Sequence, residues 1–195
     1  MDDSPAQIKR KTKETDITLT FEAVAAIPGL DGSSGVGFLD HMLNSACVHG
    51  KFRVTLRMSG DLAVDPHHST EDIGIVLGMA VAAYLGDKAG IRRFAHSLVP
   101  MDESLAMCAV DVSGRGCLVY DAAFTGERIG ELDVQSIREF FQGFANNAGV
   151  TLHLRLKYGE NDHHRAEAMF KAFGRAFGEA IQKIGGGIPS TKGTL

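Results

Sequence analysis

The chain has 195 residues, 44% hydrophobic and 23% charged, a balance that suits one sizeable domain or two small ones sharing a core and excludes a disordered chain. Its formal net charge of −4 and the lack of any apolar run near the roughly 18 residues of a spanning helix exclude a general attraction to nucleic acid or membrane. Three cysteines without a Cys-x-x-Cys pair, and a polar Met1–Glu14 segment with no signal-like apolar core, predict a cytoplasmic protein with reduced thiols.

Ile17–Glu22 alternates apolar and polar residues, as a strand with one wet face does. A turn-rich loop covers Pro28–Gly37, and the apolar spacing of Phe38–His49 predicts a short helix. Phe52–Met58 alternates as a second strand, and Thr70–Leu85 is a largely buried helix closed by Gly86. Met107–Val112 and Cys117–Ala123 read as two strands joined by a tight Ser113-Gly114-Arg115-Gly116 turn. Asp133–Asn147 is a helix with Asp133 as its cap, Leu152–Lys157 a strand, and His164–Ile184 a long amphipathic helix ended by Gly185-Gly186-Gly187. The tail from Ile188 is short and loop-like.

This order points to an internal repeat. Asp65-Pro66-His67-His68-Ser69-Thr70-Glu71 and Asn161-Asp162-His163-His164-Arg165-Ala166-Glu167 both hold His-His-x-x-Glu at the start of a long helix, 96 residues apart at His67 and His163. Gly78 in one helix also stands where Gly174 stands in the other. The predicted fold is α+β: internally duplicated βαβ-type half-domains, each a small, mostly antiparallel sheet covered by helices, packed pseudo-symmetrically. It forms a single domain of two repeats, about 10–92 and about 93–187.

Residues i and i+3 or i+4 of a helix share a face, so Glu71 can hold a metal with His67 or His68, and Glu167 with His163 or His164. Adjacent histidines diverge by about 100°, leaving one of each pair for a second metal. Imidazole with carboxylate suits Mn, Fe, Co or Zn, and the absence of nearby thiolate argues against a structural zinc site. His41, in Gly37-Phe38-Leu39-Asp40-His41, lies 26 residues before His67, and Glu139 lies 24 before His163, so Glu139 holds His41's place in the second half. His49 is a candidate for lining the site, with a capping role beside Gly50 as the alternative.

The chain resembles the imidazoleglycerol-phosphate dehydratases over nearly its whole length. The resemblance is carried by Arg10–Thr15, Gly37–Leu43, Asp65–Asp72, Pro100–Glu103, Asp111–Arg115, Asn161–Ala168, Phe170–Ala172 and Pro189–Gly193. It implies a hydro-lyase of histidine biosynthesis that converts imidazole glycerol phosphate to imidazole acetol phosphate through a metal-bound imidazolate. It also implies two manganese ions per site and a homo-oligomer, a 24-chain cage with sites at subunit contacts. Carried over, His41, His67, His68, Glu71, His163, His164 and Glu167 match the family's metal ligands. Arg93, Arg115, Ser190 and Lys192 match its phosphate-binding positions, the last two on a tail able to close over substrate. Glu14 matches a substrate-contacting carboxylate. Where this chain has Glu139 the family commonly has His, and Ser33-Ser34-Gly35 stands where a Thr-Gly is usual. Glu14, Glu71 and Glu167 are the expected proton carriers. On the residues alone, a di-metal hydrolase or a manganese storage or sensor protein are alternatives, though storage leaves the phosphate-type Arg and Lys positions without a use.

Overall fold

The computed structural model describes residues 4–191 and 193. A hairpin opens it: β1 (Ala6–Lys11) pairs antiparallel with β2 (Thr15–Glu22), whose alternation sends Ile17, Leu19 and Phe21 into the core. A short β3 (Gly29–Gly32) leads into α1 (Gly37–Gly50), and β4 (Arg53–Gly60) then slots between β2 and β3, antiparallel to the first and parallel to the second. The sheet order is β1-β2-β4-β3, and α2 (His67–Leu85) follows.

The second half repeats this plan. β5 (Phe94–Met101) and β6 (Ser104–Asp111) form the hairpin, and β7 (Cys117–Asp121) is the outer strand. A small β8–β9 hairpin (Arg128–Ile129, Leu132–Asp133) precedes α3 (Val134–Ala148), β10 (Thr151–Tyr158) and α4 (Asp162–Ala180). The order β5-β6-β10-β7 matches the first sheet, with β10 parallel to β7. Each sheet is covered on one face by its own two helices, and the helix pairs meet as α1 on α4 and α2 on α3. Between them lies a run of touching rings that includes Phe140, Phe141, Phe170, Phe173 and Phe177.

Two glycines at the repeated position let the helices meet backbone to backbone. A Cβ on Gly174 would stand 2.2 Å from the Ala46 carbonyl oxygen, and one on Gly78 would stand 2.6 Å from that of Phe144. The equivalence of Ala46 with Phe144 carries back to His41 and Glu139. The left-handed caps Lys51 and Gly149 keep the same spacing at the helix ends.

The α+β duplication and the Asp133 cap, which accepts from the Gln135 N–H, agree with the sequence reading. The tight hairpin expected across Ser113–Gly116 does not form: β6 and β7 are separated by β10, which supplies ladder partners to both. α4 stops at Ala180 rather than Ile184, and Lys183 instead makes a bridge to Ile91. α2 begins at His67 rather than Thr70, which places the whole first motif on the helix. β1, β3 and β5 were not expected.

Candidate active site

Both His-His-x-x-Glu segments occupy the first turn or two of a helix, so His and Glu four residues apart face the same way. At α4 the Asn161 side chain accepts from the N–H groups of His163 and His164. Asp162 accepts from the N–H groups of Thr125 and Gly126 and pairs with Arg165. At α2 the Asp65 carboxylate accepts from the His67 N–H at 2.8 Å.

The close α1–α4 crossing brings His41 over the start of α4. His41, His163 and Glu167 each offer one ligand atom, all within 4.8 Å of one another, the one such group among the described residues. His163 Nε2 lies 3.3 Å and His41 Nε2 3.7 Å from the Glu167 carboxylate, and the two imidazoles are 5.4 Å apart. Lys171, one turn further along α4, pairs with the other Glu167 oxygen at 2.8 Å. Burial pushes the Glu167 carboxyl up, but Lys171 and the two histidines outweigh it and hold the group below its ordinary value. Two imidazole nitrogens and a carboxylate oxygen are a donor set suited to a borderline divalent ion, so the residues present fit a metal.

The second motif is only partly assembled. His67 Nε2 stands 3.8 Å from the Glu71 carboxylate, while the Glu139 carboxylate accepts from Arg138 at 3.1 Å. His68 and His164 turn away from these groups. His68 Nδ1 meets Asp61 at 2.9 Å and His164 Nδ1 meets Glu103 at 2.7 Å, and each carboxylate raises the pKa of its histidine. In the neutral ring, with the carboxylate accepting the Nδ1 proton, Nε2 keeps its lone pair, which is how a metal-ligating imidazole is commonly oriented. Sequence reasoning assigned no role to Asp61 or Glu103. Glu103 was open to discovery, because it stands just before β6 as Glu14 stands just before β2.

The remaining predicted residues are spread around these helix starts. Glu14 sits on the β1–β2 turn and lines a shallow pocket with Asp61, and its charge helps raise the His68 pKa. Arg115 is exposed on the turn before β7. Arg93 is tied down: its guanidinium donates to Asp111 at 2.7 Å and to the Pro189 carbonyl at 2.6 Å, fastening the tail that carries Ser190. His49 lies two turns beyond His41, in a cavity of about 480 Å³ shared with Lys51, His96 and Arg175. Burial, then the charges of Lys171 and Arg175, lower its pKa. Lys192 lies outside the described residues. No described helix is long and apolar enough to cross a membrane.

The family model for imidazoleglycerol-phosphate dehydratase matches residues 34–177. A protein of that name from Methylorubrum extorquens is 49% identical over 97% of this chain and 98% of its own length. One from Acetivibrio thermocellus is 48% identical, covering 99% of this chain and all of its own. Among solved structures, the Staphylococcus aureus enzyme superposes with a TM-score of 0.83 at 36% identity, covering 92% of this chain and 99% of that one. The Pyrococcus furiosus protein, in complex with (S)-C348, gives 0.84 at 32% identity, covering 96% of this chain and 100% of that one. Matched in sequence and fold across nearly all of its length, the chain belongs to the imidazoleglycerol-phosphate dehydratase family of hydro-lyases.

Proposed function

We propose that this chain removes water from imidazole glycerol phosphate to give imidazole acetol phosphate in histidine biosynthesis, with two manganese ions per site. The observation that carries this reading is the convergence of His41, His163 and Glu167, in a chain of this family, into a group fit to hold a divalent ion. A bound ion would supply Lewis-acid polarisation of the substrate's ring nitrogens.

The chain's own residues divide the remaining work by position. His41, His163 and Glu167 form one metal position, and His67, Glu71 and Glu139 form its counterpart. His68 and His164, held at Nδ1 by Asp61 and Glu103, stand outside both groups, with His164 Nε2 3.8 Å from the Asp102 carboxylate. That supports a site completed by a second copy, hence the oligomeric cage with sites at subunit contacts. Of the three candidate proton carriers, Glu71 and Glu167 face imidazoles and serve as ligands, which leaves Glu14 for transfer to and from carbon. Arg115 is the exposed cation for the phosphate, together with Ser190 and Lys192 of the tail that Arg93 fastens. His49, on α1, stands among other cations, Lys171 and Arg175.

The test is to strip metal with a chelator, restore Mn²⁺ and follow formation of the acetol phosphate. Turnover that returns with Mn²⁺ is expected, and bound Mn²⁺ without turnover would overturn the reading. Glu14→Gln should lower turnover by about 10²-fold or more while leaving metal content unchanged.

A further inference from the structure

The two metal positions related by the repeat differ in how far their ligands are already gathered: one Glu167 oxygen already faces His163 and His41. Glu167 is clamped by Lys171 at 2.8 Å, whereas the residue four places after Glu71 is Ile75, which has no charge to offer. The Glu167 side chain is 10% exposed and that of Glu71 is 41%. The His–Glu separation is 3.3 Å in α4 and 3.8 Å in α2. His41 already lies over Glu167, whereas its counterpart Glu139 is engaged by Arg138 at 3.1 Å. Glu139 and Arg138 also share a cavity of about 430 Å³ with Tyr120 and Gln135, room for the carboxylate to swing.

Helix packing places Glu139 where this matters. A Cβ on Gly143 would be 3.0 Å from the Glu71 carbonyl oxygen, and one on Gly74 would be 2.2 Å from that of Phe140, so α2 and α3 run in step. One turn back along each helix come His67 and Glu139. Glu71 and Glu139 are both carboxylates on neighbouring helices, and Arg138 supplies a counter-charge to the second of them.

We infer that, on the metal-enzyme reading above, the two positions load unequally. The His41/His163/Glu167 position fills first. The His67/Glu71/Glu139 position fills last, because a metal must take Glu139 from Arg138 and order an unbraced Glu71. Its extra carboxylate also makes it the harder of the two, favouring Mn²⁺ over Zn²⁺ relative to its partner.

The experiment is a Mn²⁺ titration of the metal-stripped, full-length protein, followed by calorimetry and by the EPR signal of free Mn²⁺. Two classes of site are expected, about tenfold or more apart in affinity. Arg138→Gln should tighten the weaker class and narrow the gap. Glu139→His should raise its affinity for Zn²⁺ relative to Mn²⁺, and Glu139→Gln should weaken that class alone. Two equal classes, or a weaker class that ignores all three substitutions, would overturn the inference and leave the metal-enzyme reading standing. Failure to bind Mn²⁺ at either position would overturn both.

Discussion

At the start of α4 the first turn is tied from several directions. Asn161 caps it, Asp162 fastens it to Thr125 and Gly126, and Lys171 braces Glu167. Glu103 accepts from the N–H groups of Glu160 and Asn161 while also holding His164. At the start of α2 the same motif follows Pro66 with no side-chain cap on that residue, Asp65 reaches only the His67 N–H, and Glu71 is half open to solvent. A shared motif therefore supplies the same donor atoms, but the residues around it decide how firmly they are aimed. Ligands already in place bind a metal at less cost in ordering than ligands that must first be gathered.

The strongest test of this contrast compares the two glutamates. Glu167→Gln should cost about 100-fold in metal affinity and Glu71→Gln about tenfold, measured by metal titration. Equal losses would erase the distinction. Next in size are the helix crossings. Gly174→Ala puts a methyl 2.2 Å from a carbonyl oxygen, and chemical denaturation should show a loss of about 2–3 kcal/mol. Gly78→Ala, with 2.6 Å available, should cost somewhat less. Asn161→Ala should destabilise by about 1 kcal/mol through the lost cap, and Asp65→Ala by less; the reverse order would make α2 the better anchored start.

The smallest effect is a change in pH profile. The N–H of Asn161, then His164 and the Glu160 N–H, hold the Glu103 carboxyl well below its ordinary range, while Glu103 raises His164. Glu103 lends stability above about pH 4.3, lost as pH falls through its depressed value. His164 lends stability below about pH 6.5, lost as pH rises through its raised value. Their joint contribution is thus fullest between those limits. Glu103→Gln should flatten that part of the stability–pH curve, measured by denaturation across the range, while Asp61→Asn on the α2 side should alter it less.

Much of this was legible in the chain itself. The duplication, the four helices and the inner strands β2, β4, β6 and β10 follow from apolar periodicity, because one face of each is buried. The edge strands were harder to see. β1 reads as polar because its outward residues are Gln7, Lys9 and Lys11, and β5 is interrupted by Pro100. β7 was given the wrong neighbour, since its ladder partner β10 arrives some 30 residues later and no local turn signal announces it. In the site, His–Glu spacing identified the ligand types. The grouping of His41 with α4 rather than α2 depends on the Gly174–Ala46 crossing. The carboxylates behind His68 and His164 come from loops and turns distant in sequence from one of their partners, as Glu103 is from His164, which motif spacing does not encode.

The assembled group takes His41 from the first repeat and His163 and Glu167 from the second, and the counterpart proposed above would take Glu139 from the second and His67 and Glu71 from the first. Neither repeat by itself carries a complete set. A half-length chain carrying one such repeat would have to pair with a second copy to gather such a group, and the two groups so made would be identical. Two repeats carried in one chain are free of that obligation of identity. Lys171 can then stand on one side with Ile75 on the other, and His41 opposite the glutamate at position 139.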